Sequence, residues 1–162
     1  MEYRPAAKEE LELVWDRSIA ENPDDVRWVQ WKQEYIENHL SGKALTFLVL
    51  DNGDPVGEGT LLFSPECSAA AGRLALCDGK RTANVNALRI RKTYEGRGHM
   101  SRLVREMEAY AYRQGITRLT IGVEAREAGN LAIYLHLGYT EFLFSQVEDR
   151  ELVLYYGKTL EK

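Results

Sequence analysis

Residues 84–114 read NVNALRIRKTYEGRGHMSRLVREMEAYAYRQ, and this stretch predicts a strand, a glycine-rich turn and a helix in that order. Residues 84–90 alternate weakly and are rich in strand-forming side chains, and Gly96 and Gly98 then interrupt the pattern. Beyond the turn, apolar residues recur at the spacing of a half-buried helix: Leu103, Met107, Tyr110 and Ala111. The stretch therefore predicts a strand that passes through a tight turn directly into a helix.

The glycine turn is a candidate binding site for an anion. Its two glycines let a ligand approach the backbone closely, and the helix behind them presents unpaired N–H groups at the positive end of its dipole. This combination suits phosphate best. Arg97, Arg102 and the ring of His99 could add positive charge. A Gly-Arg-Gly sequence before a helix also occurs as a simple tight turn, so this motif alone leaves both interpretations open.

The composition of the chain narrows the possible functions. Its 162 residues carry a net charge of −4, which argues against broad nucleic-acid binding. Cys67 and Cys77 form neither a CxxC pair nor a Cys/His cluster, so we expect no metal site and no disulfide. The charged first residues are unlike a signal peptide, and no apolar run reaches the ~18 residues of a membrane span. We therefore expect a single cytoplasmic domain over residues 1–162, with no membrane partner.

The rest of the chain predicts the element order βααβββαβαββ. Helices are predicted over 7–19, 22–40 and 128–137, and strands over 2–4, 44–50, 56–63, 118–123, 140–146 and 151–156. The strand–helix–strand unit in the middle requires a right-handed crossover between parallel strands, whereas the first strands pair as antiparallel hairpins. We therefore expect an α/β fold with a central mixed sheet of six to seven strands and helices on both faces.

The second predicted helix has an aromatic side, formed by Trp28, Trp31, Tyr35 and His39. Aromatic residues at helical spacing usually pack in a core, and that is one interpretation here. The alternative is that they form one wall of a substrate pocket. Residues 64–80 match no clear pattern, and together with the first two helices they are expected to line that pocket.

A second motif follows the strand predicted over residues 118–123. Residues 129–139 read GNLAIYLHLGY, which places Tyr134 four residues before Gly138 on a short helix. Together with the glycine turn, this pattern resembles the GNAT superfamily of acyl-CoA-dependent N-acetyltransferases. In that family Y-R-G-x-G-x-G/A precedes a helix, and N-x-x-A-x-x-L-Y-x-x-x-G-F follows the next strand. The order of elements is similar over nearly the whole chain, and residues 85–142 carry the specific motifs.

The chain departs from the family pattern at three positions. Glu95 stands where the family has a basic residue, and Met100 replaces the last small residue of the turn. Backbone N–H groups survive such replacements, although Met100 could crowd a pyrophosphate. Glu127 occupies the position of the family's asparagine, and Asn130 lies instead one helical turn before Tyr134 on the same face.

The resemblance implies acetyl-CoA as co-substrate and an amine as acceptor. In the family, amides of the glycine turn bind the pyrophosphate, and the preceding strand pairs with the pantetheine arm in a slot where two strands splay apart. On this chain the corresponding residues are Leu88, Arg89, Ile90, Gly96, Arg97, Gly98, His99, Met100 and Ser101, with Asn130 near the arm. The splay is expected between residues 84–90 and 118–123. N–H donors of the first of these strands could also stabilise the oxyanion.

Tyr134 matches the family's general acid, which gives a proton to the departing thiolate. A phenol with a pKa near ~10 is protonated at neutral pH. The alternative is a tyrosine that only packs its helix. For the base that takes the amine proton, the sequence offers Glu58 and Glu124, each of which could also be an ordinary surface carboxylate. His99 and His136 could titrate usefully, and water could serve instead.

Two classes of function compete for this sequence. The leading hypothesis is an enzyme that moves an acetyl group from acetyl-CoA to a primary amine, of a small molecule or a protein, by direct attack. The alternative is a non-catalytic domain that binds an acyl-CoA as a sensor or scaffold. Loss of Tyr134 or a proline in the glycine turn would favour that alternative, and the chain has neither.

Other features of the sequence add weaker expectations. A different nucleotide-binding fold is disfavoured because neither G-x-G-x-x-G nor G-x-x-x-x-G-K-[ST] occurs. A net-acidic chain suits cationic amines slightly. A homodimer could form through the C-terminal strands or exposed aromatic residues.

Overall fold

The computed structural model describes residues 1–161, whose elements follow the order βααβββαβαββ that the sequence predicts. The strands are β1 (Glu2–Pro5), β2 (Ala44–Asp51), β3 (Asp54–Leu62), β4 (Thr82–Ile90), β5 (Arg118–Glu124), β6 (Glu141–Glu148) and β7 (Glu151–Thr159). The helices are α1 (Lys8–Glu21), α2 (Arg27–Ser41), α3 (His99–Arg113) and α4 (Ala128–His136). None of these helices is long and apolar enough to cross a membrane.

The seven strands form one sheet, in the spatial order β1-β2-β3-β4-β5-β7-β6. β4 and β5 are parallel, and the other neighbouring pairs are antiparallel. The connection between the two parallel strands is α3, which is the strand–helix–strand unit expected from the sequence. The predicted mixed sheet of an α/β fold is therefore confirmed.

Helices cover both faces of the sheet, as predicted. Side chains alternate along β2, so Phe47 and Val49 belong to the core cluster that contains α3, whereas Leu48 and Leu50 belong to the cluster that contains α1 and α2. Burying a large apolar side chain of this kind contributes about 1.5–3 kcal/mol. The glycine turn and α3 thus belong to one face of the sheet, and the aromatic helix α2 belongs to the other.

β4 and β5 separate before they end. Their parallel pairing runs from Thr82 to Val85 on β4 and stops there. β5 continues to its last residue beside β7, and β4 continues to Ile90 beside β3. Each strand thus keeps its outer partner while a gap opens between the two. The splay expected between these strands is confirmed.

A β-bulge lies on β4 where the gap opens. Ala87 and Leu88 stand opposite Gly59 alone, because the register with β3 shifts at this point. Ala87 has a φ of 52°, which is uncommon for a residue other than glycine. Gly59 has no room for a side chain, since an added Cβ would lie 2.8 Å from Cδ1 of Leu88 and 3.0 Å from Sδ of Met107. A bulge leaves one residue outside the ladder with β3, and beyond Val85 the other edge of β4 has no strand partner among the described residues.

Several element boundaries differ from the sequence prediction, and the starts of α2 and β4 have a clear local cause. α2 begins at Arg27 rather than at residue 22, because residues 22–26 form a turn in which the Asp25 carboxylate accepts the N–H of Arg27 at 3.0 Å. β4 begins two residues earlier than predicted, at Thr82. Its start is fixed by Asp78, whose carboxylate accepts three successive backbone N–H groups at 2.8–3.0 Å.

Candidate active site

The glycine turn presents free backbone N–H groups at the start of α3. Gly96 and Gly98 have φ values of 74° and 80°, which glycine adopts without strain. An added Cβ at either glycine would meet no atom within 4 Å, so the turn is open. After the turn, the N–H of Arg102 donates to the carbonyl of Gly98 at 3.1 Å. The N–H groups of residues 99–101 precede this bond and have no helical acceptor, so they are available to an anion.

Two tyrosines fix the turn against the first strands. The Tyr94 hydroxyl donates to the Asp51 carboxylate at the end of β2, at 2.6 Å. The Tyr3 hydroxyl of β1 lies 2.7 Å from Nδ1 of His99. The His99 side chain therefore connects α3 with β1, and its backbone N–H belongs to the turn. The guanidinium of Arg97 stands 5.7 Å from the centre of the Tyr94 ring, which keeps a positive charge at the turn.

The last residues of β4 point their side chains to opposite faces of the sheet. Leu88 and Ile90 pack against the core beneath α3, whereas the guanidinium of Arg89 lies against tryptophans of α1 and α2. The edge of these residues that faces β5 has no strand partner beyond Val85 among the described residues. An extended ligand could therefore pair with the backbone of β4 at this edge, as a further strand would.

Tyr134 is buried in α4, with 5% of its surface exposed, among the core residues of the α3 face. Burial raises the pKa of its phenol to about 12, and the charge of Glu127 adds to the shift. The hydroxyl therefore stays protonated at neutral pH and forms no hydrogen bond with another side chain in residues 1–161. Asn130 is half-buried one turn earlier on α4, and Met100 packs against the same core.

Glu58 is a buried carboxylate on β3, with 7% of its surface exposed. Its register partner on β4 is Arg89, and Oε1 of Glu58 lies 3.3 Å from a guanidinium nitrogen of Arg89. Burial raises the pKa of the Glu58 carboxyl, and the positive charge of Arg89 opposes this shift only in part. Glu58 is therefore a stronger base than an exposed carboxylate.

Glu124 lies at the end of β5 in a surface ion-pair network. Its carboxylate accepts a hydrogen bond from Nε of Arg126 at 2.8 Å, and the same guanidinium lies 3.4 Å from Glu151. The Glu124 side chain is 37% exposed, whereas that of Glu58 is 9% exposed. The structure thus separates the two candidate bases into different environments.

An aromatic cavity of about 420 Å³ lies between the two N-terminal helices, the bulge of β4 and the segment before it. Its lining residues are Trp15, Trp28, Trp31, Tyr35, Ser68, Ala69, Asn86, Ala87 and Arg89. The rings contact one another, with centroids 5.0 Å apart for Trp15 and Tyr35 and 5.1 Å apart for Trp28 and Trp31. The aromatic side of α2 thus packs against the core of the α1–α2 face and, with part of residues 64–80, also lines a cavity, so both interpretations apply to it.

A second, polar cavity of about 470 Å³ adjoins the aromatic one. Glu58 lines it, together with residues of α1 and of the loop that leads to the glycine turn. Trp28 and Arg89 line both cavities, so the two are neighbours across these side chains. The carboxylate of Glu58, the bulge and the aromatic wall therefore belong to one continuous region of the molecule.

Three features of this region were not predicted from the sequence. Helical spacing correctly placed Trp15 on the buried side of α1, but its position in the wall of the aromatic cavity was not predicted. Arg89 was predicted for its backbone alone, although alternation along β4 could have directed its side chain to the α1–α2 face. His39 was grouped with the aromatic wall, but its ring nitrogens instead bond the carbonyl of Ala6 at 3.0 Å and the N–H of Thr46 at 3.1 Å.

In the described part of the chain, no group of three or more His, Cys, Asp or Glu side chains is arranged to hold a metal ion. Cys67 and Cys77 are both buried free thiols. Burial raises the pKa of both thiols.

Several solved structures share this fold. A ribosomal-protein-alanine N-acetyltransferase from Brucella melitensis matches 99% of this chain and 100% of its own, with a TM-score of 0.74 and 16% identity. The yncA protein of Salmonella typhimurium, solved with its cofactor acetyl-CoA, matches 100% of this chain and 95% of its own, with a TM-score of 0.72 and 14% identity. An aminoglycoside 6′-N-acetyltransferase complexed with coenzyme A matches 100% of this chain and 98% of its own, with a TM-score of 0.69 and 13% identity. At these identities the likeness establishes a shared fold.

Sequence comparison gives the family directly. No curated protein sequence matches the chain. The profile of the Acetyltransferase (GNAT) family, in contrast, matches residues 7–139, which include both helices of the aromatic cavity, the splayed strands, the glycine turn and Tyr134. The chain therefore belongs to the GNAT family of acetyltransferases.

Proposed function

We propose that the protein transfers an acetyl group from acetyl-CoA to a primary amine. The observation that carries this proposal is the glycine turn with its free N–H groups, placed at the end of a strand that has separated from its neighbour. Two of the structures with the same fold hold acetyl-CoA or coenzyme A. The family and the turn support the same co-substrate.

The residues of the chain fit coenzyme A in two places. The N–H groups of residues 96–101 would hold the pyrophosphate, with Arg97 adding charge. The free edge of β4, including Leu88, Arg89 and Ile90, would pair with the pantetheine arm, and Asn130 would lie near it. Met100 packs against the core, which supports a turn that keeps its N–H groups accessible.

Acetyl-CoA, when bound, supplies the acetyl group as an activated thioester. We propose that unpaired N–H groups at the bulge of β4 stabilise the negative charge that develops on the thioester oxygen. As the bond from the acceptor nitrogen to the acetyl carbon forms and the carbon–sulfur bond breaks, Tyr134 donates its phenolic proton to the sulfur. Its pKa of about 12 keeps this proton in place at neutral pH.

Glu58 is the better candidate for the base that takes the proton of the amine. It is buried, its pKa is raised, and it lines the cavity that adjoins the aromatic wall. Glu124 is instead held by Arg126 in an ion pair at the surface. We therefore propose Glu58 for this role and Glu124 for a structural one.

The experiment that tests the function is an amine panel in which release of free thiol from acetyl-CoA is followed. Turnover with any primary amine above the rate without amine supports the proposal. Coenzyme A binding by calorimetry without turnover on any amine would instead support the non-catalytic sensor or scaffold.

Two further properties stay predictions. We propose a homodimer through the C-terminal strands, because β6 is an edge strand on which Phe142 and Val147 are 54% and 67% exposed. Sedimentation of the parent beside Phe142→Ser measures this. A cytoplasmic location is the second prediction, and it is measured by fractionation of expressing cells.

A further inference from the structure

The tryptophans of the chain gather in one cavity. The sequence contains three, and Trp15, Trp28 and Trp31 all line the aromatic cavity. The Trp31 ring meets that of Trp28 nearly edge to face, at an interplanar angle of 72°. Such rings give a broad apolar surface for a flat or branched hydrocarbon group. The aromatic cavity therefore favours a ligand with a large apolar side chain.

The charge at the aromatic cavity disfavours a ligand that is itself a cation. Among the described residues that line it, Arg89 alone carries a charge. Its guanidinium lies 5.1 Å from the ring centre of Trp28 and 5.7 Å from that of Trp15. The guanidinium of Arg89 thus already occupies two of the aromatic faces that could attract a ligand cation. This arrangement disfavours a polyamine and attracts an anion.

Arg89 has donors that the protein leaves unused. Its Nε is buried and has no hydrogen-bond partner among residues 1–161. Its only ion pair in the described chain is the 3.3 Å contact with Glu58. A buried donor without an acceptor is destabilising, so such groups are rare unless a ligand completes them. The planar guanidinium fork matches a carboxylate.

Arg89 and Glu58 together present opposite charges 3.3 Å apart. An α-amino acid carries a carboxylate and an ammonium group on the same carbon, so it offers the complementary pair at a similar separation. Its side chain would extend from that carbon toward the tryptophans, because Arg89 and Trp28 line both cavities.

We propose that the acceptor is an α-amino acid with an aromatic or large apolar side chain. Arg89 binds its carboxylate, Glu58 receives the proton of its α-amine, and the aromatic cavity takes its side chain. This inference rests on the proposed acetyl transfer, and the products are the N-acetyl amino acid and free coenzyme A. The identification replaces the weak expectation of a cationic amine that the net charge of the chain suggested.

The first test compares acceptors that differ by one group. L-phenylalanine, L-phenylalaninamide, phenethylamine and spermidine are supplied with acetyl-CoA, and thiol release is measured. We expect kcat/KM for phenylalanine to exceed that for each of the other three by about tenfold or more, because a hydrogen bond to a charged group is worth that much. Equal or better turnover of phenethylamine, the amide or spermidine overturns the inference, even though acetyl transfer itself then stands.

The second test determines whether the preference for phenylalanine over phenethylamine depends on Arg89. Arg89→Gln removes the charge and keeps the backbone that pairs along β4. The ratio of kcat/KM for phenylalanine to kcat/KM for phenethylamine should fall about tenfold or more in this variant. Arg105→Gln, an exposed change of the same charge on α3, is the matched control and should keep the preference. An unchanged preference in Arg89→Gln contradicts the inference, and the thermal shift with coenzyme A verifies that each variant is folded.

Binding provides a readout that does not depend on turnover. Because all tryptophans of the chain line the aromatic cavity, their fluorescence should change when phenylalanine binds. Saturable binding that is at least about tenfold tighter for phenylalanine than for phenethylamine, and that Arg89→Gln removes, supports the aromatic cavity as a site for an apolar α-amino acid, and absence of acetyl transfer would then overturn only the proposed function. If acetyl transfer to other amines occurs and phenylalanine leaves the fluorescence unchanged, this inference fails and the proposed function survives.

Discussion

The two halves of the candidate site are built from different parts of the chain. The half around the glycine turn offers backbone N–H groups, whose geometry depends on φ values at Gly96 and Gly98 and on the start of a helix. The half between α1, α2 and β4 offers side chains, namely a tryptophan wall and the Arg89–Glu58 pair. A backbone site tolerates many side chains, whereas a side-chain site changes with each substitution. The first half therefore carries what a family shares, and the second carries what distinguishes its members.

The largest effect is expected where the backbone half is distorted. Gly98→Val places a β-branched residue at a φ of 80°, which strains the turn by about 1–3 kcal/mol and displaces its N–H groups. Coenzyme A at about 100 times its Kd should raise the Tm of the parent by about 5–10 °C. We expect no rise for Gly98→Val.

The matched control is Gly115→Val, at the other end of α3. Gly115 has a φ of 89° and the same open surroundings, so the strain is similar. This variant should melt earlier and keep the full shift with coenzyme A. Arg97→Ala sharpens the comparison further, because it removes a side chain from the turn and should weaken binding less than tenfold. Normal coenzyme A binding by Gly98→Val would place the site elsewhere.

The next effect concerns the proposed base in the side-chain half. Glu58→Gln keeps the shape of the side chain and removes its basicity, so kcat should fall about 100-fold, as is typical when a general base is lost. Steady-state kinetics on the best amine measures this. In the parent, kcat/KM should fall as the pH decreases through the raised pKa of Glu58, because the protonated carboxyl cannot accept a proton.

Glu124→Gln serves as the control, since it removes an equal charge from a surface ion-pair network. It should leave kcat within about twofold of the parent value, as surface ion pairs contribute little. If Glu124→Gln lost the activity and Glu58→Gln kept it, the assignment of the base would be reversed.

A smaller effect is expected for Tyr134, which belongs to neither half and would act on the sulfur between them. Tyr134→Phe keeps the packing of α4 and removes the proton donor, so kcat should fall by about tenfold or more with coenzyme A affinity nearly unchanged. The fall is limited because a thiolate leaves without full protonation. Kinetics and calorimetric titration with coenzyme A measure the two quantities.

Tyr139→Phe is the control for Tyr134, because its hydroxyl is also buried but donates to Glu108 at 2.8 Å. Its loss should lower the stability and leave kcat unchanged. An unchanged kcat in Tyr134→Phe, with chemistry limiting the rate, would reduce Tyr134 to a packing residue. A weaker coenzyme A affinity with normal kcat would make it a cofactor-binding residue.

The difference between the backbone half and the side-chain half also explains how much of the site the sequence alone could predict. The fold and the glycine turn follow from local signals, because alternation, helical spacing and positive-φ glycines act over a few residues. The bulge at Ala87 could not be predicted, since it depends on the register of two strands. Nor could the Arg89–Glu58 pair, which joins residues 31 positions apart through that register. The side-chain half is assembled by the fold, and local patterns do not reveal it.

The smallest effect is thermodynamic and again concerns Glu58. Burial raises the pKa of its carboxyl in the folded protein above the ordinary value, so the folded state holds this proton more tightly than the unfolded state. Protonation of Glu58 therefore stabilises the folded state. This stabilisation is lost as the pH rises from the ordinary pKa of a glutamate to the raised pKa of Glu58. Relative to Glu58→Gln, the Tm of the parent should fall by about a few degrees over this interval and then stay constant.

The quantity to measure is the change with pH of the difference in Tm between the parent and Glu58→Gln. The size of that difference at any one pH is not informative. Glu58→Gln also removes the ion-pair partner of Arg89. Arginine side chains stay charged at every pH at which carboxyl groups titrate, so that loss shifts the whole curve by a constant amount. Other carboxylates titrate equally in both proteins and cancel in the difference. A parent that gained stability relative to Glu58→Gln as the pH rose would mean that Arg89 outweighs burial. Glu58 would then be an ion-pair partner rather than a base, and the side-chain half would lose its catalytic role.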